Sequence, residues 1–356
     1  MVLRLWPAIC RMLSILMLAA LPAAPAMAQA QRIVAVGDLH GDDDVWLDIA
    51  RGAGLIDARN HWAAGRTTLV QAGDVVDRGA DSRKIIAHLR TLQKEAPRAG
   101  GKVIVLLGNH EAMNMTGDLR YVDAAEMASY ADGHSEALRQ AAWDANGKRF
   151  IAEYRARHPA MTDEAIHGEW LKAMPLGMIE HDRAWAPDGE IGRWVSTLPA
   201  VVKIGDSIFV HGGLSAAYAN LPADQINSRA DAALKARDTA QTAIINDPLG
   251  PLWYRGNITR GPLDQENWAV ALAANPALAK TPRLGIDQEL DAVLAGFGAK
   301  RLVVAHTPNL AGIDISHGGK LVRIDTGNSR YYKGQPSWLE INGDTVTPHS
   351  VARSIH

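Results

Sequence analysis

Cysteine is almost missing from this chain. Of 356 residues only Cys10 carries a thiol, and it lies ahead of an N-terminal apolar stretch, where it is not placed like a lipid-attachment cysteine. Beyond it, a disulfide framework, thiol chemistry and a closed, cysteine-rich zinc site are all excluded. Long hydrophobic runs are missing too. The N-terminal apolar core, Leu13 to Ala24, has about 12 residues where a membrane span needs ~20. No block of basic residues marks a nucleic-acid partner, and no basic amphipathic helix marks a membrane surface. The formal net charge is −2 and the pI is near 6.7. There is no internal repeat and no long linker. The hydrophobic content, 47%, is that of an ordinary globular protein. Such a chain must be held by its core, and one of this length can bury enough surface to do so. The expectation is one large α/β domain with an inserted subdomain.

The N-terminus reads as a processing signal. Arg4 and Arg11 form a positive region, the apolar stretch follows, and Pro22 and Pro25 mark its end. Ala26-Met27-Ala28 and Ala28-Gln29-Ala30 each offer a small-x-small cleavage site. Residues 1–28 are therefore expected to be a signal peptide. Cleavage near 28–30 leaves about 327 residues, removes Cys10 and ends any stable membrane association. The mature protein is then periplasmic or secreted, with its domain over 31–350.

Five short apolar segments each end in a polar cluster. The segments are Arg32–Val36, Thr67–Gln71, Lys102–Leu107, Ser207–Val210 and Arg301–Ala305; the clusters are GDLHG (37–41), GDVVDRG (73–79), GNHE (108–111), HGG (211–213) and His306. Runs of four to six apolar, β-branched-rich residues read as buried strands, and groups just past strand C-termini stand where open sheets bind substrates. Helices are expected over 43–52 and 81–95, so the chain begins as alternating strand and helix, which favours parallel βαβ units. Stretches 122–131, 135–157 and 163–174 read as helices of an insert, about 112–197, beside the site. Segment 199–210 returns to strand character, 223–242 reads as a helix, and strands are expected near 301–305, 321–324, 337–341 and 345–348.

The clusters together have the chemistry of a metal site. Asp38, His40, Asp74, Asn109, His211 and His306 supply two carboxylates, three imidazoles and one amide oxygen. That mixture suits Mn, Fe or Zn. One shared carboxylate can bridge two ions, which clamp a phosphate and lower the pKa of a bridging water; the hydroxide then attacks phosphorus in line with the leaving oxygen. Arg78 has the planar fork that suits phosphate oxygens. His110, one residue after Asn109, is the natural proton donor to the leaving group, and Asp77 holds it oriented. Each cluster alone is ordinary: Gly-Asp after a strand is turn chemistry, and an Asp-Arg pair is a surface ion pair. Five in order, each after a strand, are not.

These motifs closely resemble those of the calcineurin-like metallophosphoesterases, and within them the PPP-type phosphoprotein phosphatases. The resemblance implies that Asp38, His40 and Asp74 hold one ion, and that Asp74, Asn109, His211 and His306 hold the other. It also implies that Asp77 and His110 form an acid pair, that Arg78 and Asn109 contact phosphate, and that Arg255 in GPLWYRG (250–256) is a second phosphate-binding arginine. The continuation of GNHE as AMNMTGDLRYV (112–122), with GPLWYRG and the DTG at 325–327, is similar to the Shewanella-like phosphatase branch. The implied fold is a central β-sandwich of mixed sheets flanked by helices. A purple acid phosphatase carries a tyrosine ligand where Asp77 stands, and nuclease-type relatives end in His-x-His where this chain has the single His306.

The expected function is hydrolysis of phosphomonoesters, first of all phosphoproteins or phosphopeptides on Ser/Thr or Tyr. The alternatives are a nonspecific periplasmic phosphomonoesterase, a dinucleoside-polyphosphate hydrolase and, remotely, a non-catalytic metal-binding module. A module of that kind has no use for Asp77, Arg78 and His110. Tyr121, Tyr130 and Trp143 are candidates to line a groove, and Asn114 and Asp118 follow GNHE closely enough to support the site.

Overall fold

In the first strand Ile33 and Ala35 face one way and Val34 and Val36 the other, and all four are buried. A strand buried on both faces needs a layer on each side. The computed structural model, which describes residues 31–354 apart from Thr281, supplies both. Residues 1–30, with the expected signal peptide and Cys10, lie outside the described residues.

In chain order the strands are β1 (Ile33–Val36), β2 (Thr68–Gln71), β3 (Lys102–Val105), β4 (Val201–Ile204), β5 (Ser207–Val210), β6 (Arg301–Val304), β7 (Asp314–Ser316), β8 (Leu321–Arg323), β9 (Ser337–Asn342) and β10 (Thr345–Ser350). One sheet runs β10-β9-β1-β2-β3 and the other β4-β5-β6-β8-β7. Within them β1-β2-β3 and β5-β6-β8 are parallel, and β9, β10, β4 and β7 are antiparallel additions. The parallel reading therefore holds for the alternating N-terminal part, and the molecule as a whole has two mixed sheets. Alternate residues build the layer between them: Ile33, Val70 and Ile104 from one sheet meet Phe209, Val303 and Val322 from the other. The opposite faces, with Val34, Leu69, Ile208 and Leu302, pack under the helices.

The helices are α1 (Asp43–Gly52), α2 (Ser82–Glu95), α3 (Asn109–Thr116), α4 (Ala124–Ser129), α5 (Ser135–Arg157), α6 (Asp163–Ala173), α7 (Met178–Trp185), α8 (Glu190–Val195), α9 (Ala223–Lys235), α10 (Pro262–Ala274) and α11 (Ile286–Phe297). The α1 helix starts on an Asp42 side chain that accepts from the Val45 N–H. The three expected insert helices are present as α4, α5 and α6. The short helices α3, α7 and α8 were not foreseen, nor were α10 and α11. The expected helix at 223–242 ends at Lys235. There the Arg237 backbone turns left-handed (φ 48°), and the Asp238 N–H closes back on the Ala233 carbonyl at 3.0 Å, a helix-terminating geometry. The freed residues run as turns toward Trp253 and Arg255.

Candidate metal centre

The parallel strands β1, β2 and β3 of one sheet and β5, β6 and β8 of the other end beside one another, and their following residues fill one buried site. Getting there requires an unusual backbone. His40 (φ 46°), Asp74 (51°), Asp77 (70°), Arg78 (65°) and His306 (64°) are all left-handed, a conformation that costs a non-glycine residue roughly 1–2 kcal/mol. Hydrogen bonds impose it. The His40 N–H donates to the Asp74 carbonyl at 3.0 Å and the Gly41 N–H to the Val75 carbonyl at 2.8 Å. Gly108 is obligatory for a different reason: a Cβ there meets the Asp74 nitrogen and carboxylate at 2.3 Å.

Asp74 is central. Its Oδ2 lies 3.3 Å from His211 Nε2, 3.8 Å from His110 Nε2 and 4.0 Å from His40 Nε2. Asp38 Oδ2 is 3.7 Å from His40 Nε2, and Asn109 Oδ1 is 2.9 Å from His211 Nε2. Two clusters capable of holding an ion, His40-Asp74-His110 and Asp74-His211-His306, share Asp74. The ring orientations fit ligation. Nδ1 of His40 donates to the Val76 carbonyl (3.1 Å) and Nδ1 of His211 to that of Ala72 (2.8 Å), so each Nε2 lone pair faces the centre. Nε2 of His306 is buried with no partner.

The electrostatics ask for cations. Burial, then the neighbouring Asp325 and Asp74, push the Asp38 carboxyl well up. Burial also pushes Asp325 up to about 6. Burial drives the His40 and His306 imidazoles well down, toward the neutral form that ligates metal. Asp74 is the exception: burial alone raises it, but His211, His110 and His40 around it pull it well below the usual range. Crowded carboxylates, two imidazoles pushed toward the neutral form and an orphaned ring nitrogen are a donor set that two ions fit.

Beside this set, His110 Nδ1 lies 2.6 Å from Asp77 Oδ2, and Asn114 Nδ2 donates to the other Asp77 oxygen at 2.9 Å. Arg78 Nη1 lies 2.9 Å from His40 Nε2 and also bonds the Tyr332 hydroxyl. Arg255 Nη1 donates to the His306 carbonyl (3.0 Å) and Thr307 Oγ1 (2.7 Å). Every candidate ligand, acid and arginine from the sequence therefore gathers here. Tyr121 also arrives, 5.0 Å from the His110 ring. Tyr130 and Trp143 do not. Tyr130 is buried, its hydroxyl accepting from Trp185 Nε1 at 3.0 Å. Trp143 stacks 4.1 Å from His167, joining α5 to α6. Tyr130 thus packs in the main core and Trp143 between two insert helices, the usual places for aromatics on helices. Asp118 carries Arg120 at 2.8 Å and lines a groove of about 470 Å³ with Met113, Trp253 and Asn267. Trp253 also stands edge-on to His306 at 5.7 Å.

Four further supporting residues carry no assigned role in the sequence reading, although Glu111 and Asp325 stand inside its GNHE and DTG motifs. Glu111 accepts from the N–H groups of Asp74 (3.0 Å), Val75 (2.8 Å) and Gly108 (3.0 Å), tying the second motif to the third. Its spacing from Gly108 is that of a capping box, a readable signal. Asp325 follows β8 as the other acids follow their strands, but β8 is only three residues long. Asn328 Nδ2 donates to the Asp38 carbonyl at 3.1 Å; neither it nor Tyr332 has a sequence signal.

Residues 31–310 match the calcineurin-like phosphoesterase family. The chain belongs to that family. This phosphoesterase is 31% identical over 323 residues to Shewanella-like protein phosphatase 2 of Arabidopsis thaliana, covering 88% of this chain and 76% of that one. Its fold is similar to a solved cold-active protein-tyrosine phosphatase of a psychrophilic Shewanella, with a TM-score of 0.61 at 23% identity over 91% of this chain and 81% of that one. A protein serine/threonine phosphatase from Saccharomyces cerevisiae superposes with a TM-score of 0.51 at 15% identity, covering 92% and 82%. The phosphoesterase is a metal-dependent phosphatase, with divalent metal ions as the cofactors its family implies.

Proposed function

We propose that this phosphatase hydrolyses phosphopeptide monoesters, phosphotyrosine first, outside the cytoplasm, with Mn, Fe or Zn as its ions. The observation that carries the monoester reading is the Asp77–His110 pair at 2.6 Å, set against Asp74 and next to Arg78. The named tyrosine phosphatase of the same fold and the tyrosine at the His110 ring favour the aryl ester. The Arg4 to Ala28 pattern favours export.

Asp38, His40 and Asp74 are assigned to one ion and Asp74, Asn109, His211 and His306 to the other. Bound there, the ions supply positive charge to the phosphate oxygens and acidify water. The protein's own groups do the rest. Arg78 and Arg255 hold the non-bridging phosphate oxygens and take up charge as it develops. A water oxygen bonds to phosphorus and the P–O bond to the leaving group breaks on the opposite side. Asp77 holds the Nδ1–H of His110, so Nε2 delivers its proton to the leaving oxygen. Asn114 keeps the Asp77 carboxylate turned to that task.

His110 also belongs to one metal-capable cluster, so the assignment needs a test that separates acid from ligand. His110→Asn is expected to lower kcat on a phosphotyrosine peptide by ~10²–10⁴-fold while the protein keeps two ions. Loss of an ion makes His110 a ligand; unchanged turnover with both ions bound removes the acid role. A parallel assay on a diadenosine polyphosphate overturns the peptide reading if that compound is hydrolysed faster.

A further inference from the structure

Three tyrosines from two separate segments converge on one guanidinium. Arg78 Cζ lies 5.1 Å from the ring centroid of Tyr121, 5.4 Å from Tyr331 and 5.0 Å from Tyr332. They differ in burial. Tyr332 is half-buried, its hydroxyl on the guanidinium and its ring 5.6 Å from His40. Tyr121 is 40% exposed and Tyr331 62%. One ring is enough to steady an arginine, and Tyr332 already does so. The other two present free aromatic surface at the mouth of the site.

Their positions are fixed. The Arg78 N–H donates to the Tyr121 carbonyl at 2.9 Å, so Tyr121 stays in register with the arginine. The segment carrying Tyr331 is braced on both sides. The Arg330 N–H donates to Asp42 Oδ2 at 2.7 Å, the Arg330 side chain pairs with Asp44, and the Gly334 N–H closes on the Gly327 carbonyl at 2.9 Å. On the Tyr331 side of the guanidinium a pocket of about 130 Å³ opens, lined also by His40, Asp42 and Asp81. The leaving oxygen must stand at His110 to be protonated, and Tyr121 is the tyrosine against that imidazole.

We propose that Tyr121 and Tyr331 are the specificity determinants of this phosphatase, two walls of an aromatic collar around Arg78 that receive the aryl group of the ester. An aryl leaving group presents a π-face to both walls. A seryl phosphate presents a single methylene, gains nothing from either ring and relies on the phosphate contacts alone. The inference rests on the aryl-first reading above.

The test uses metal-loaded protein and two peptides of one sequence, one carrying phosphotyrosine and the other phosphoserine. Tyr121→Leu and Tyr331→Leu are made singly and together, with Tyr331→Phe as the ring-retaining control. Each Leu variant is expected to lower the phosphotyrosine-to-phosphoserine ratio of kcat/KM by about 3–10-fold, and the pair by more than tenfold. Tyr331→Phe keeps the ratio within about twofold. The preference for phenylphosphonate over methylphosphonate, measured by calorimetry, falls in parallel and reports binding without turnover. A double variant that keeps both ratios overturns the collar alone. A wild-type ratio of one or less overturns the aryl-first reading and the collar with it.

Discussion

Glu111 shows how much of this site depends on residues that touch neither metal nor phosphate. Its carboxylate takes three buried N–H groups, two of them at the left-handed turn of Asp74. Burial and then the Asp74 charge push it up to about 7, against the pull of those donors. Glu111→Ala strands three backbone donors, so it is expected to destabilise the protein by on the order of 3–5 kcal/mol and weaken metal binding. Urea melts of the metal-free and metal-loaded forms measure both. A loss below about 1 kcal/mol contradicts the tie. At this scale the sequence was legible where chemistry dictated residue type. Asp38, His40, Asp74, Asn109, His211 and His306 stood out because few roles need those groups at strand ends. Tyr331 and Tyr332 did not, because a loop tyrosine carries no periodicity or spacing, and only folding brings Tyr332, 254 residues away in sequence, to Arg78.

At the scale of elements, the strands were legible because burial on both faces writes an apolar run, whereas the short β7 (Asp314–Ser316) has little of that signal. The insert was read as helical from composition, but its packing was not. Its core is a set of aromatic contacts: His181 lies 4.8 Å from Tyr130 and 5.8 Å from Trp185, and its Nδ1 has no partner. Burial pushes the His181 imidazole from 6.5 down to about 4. Between those values the unfolded chain takes up a proton that the folded chain refuses. The stability held above pH 6.5 is therefore lost as the pH falls toward 4, by at most about 3 kcal/mol. In His181→Leu that acid loss is expected to shrink by this amount, as read from urea melts at a series of pH values. Equal acid slopes in the two proteins remove His181 as the cause.

At the scale of the molecule, the two sheets meet twice, in the apolar layer around Phe209 and Val303 and again at the strand ends. At the second meeting β1, β2 and β3 contribute Asp38, His40, Asp74 and Asn109, and β5 and β6 contribute His211 and His306. Ions bound there join the sheets and stabilise the folded state by mass action. The sharing of Asp74 between two clusters calls for two ions per chain. The direct measurement is to strip the protein with a chelator and titrate Mn²⁺ back, following turnover of a phosphotyrosine peptide and bound metal in the same samples. No turnover is expected without metal, then a rise that levels off at two ions per chain, and neither full loading nor activity in Asp74→Ala. Full turnover in the stripped protein, or a plateau at one ion, contradicts the two-ion centre.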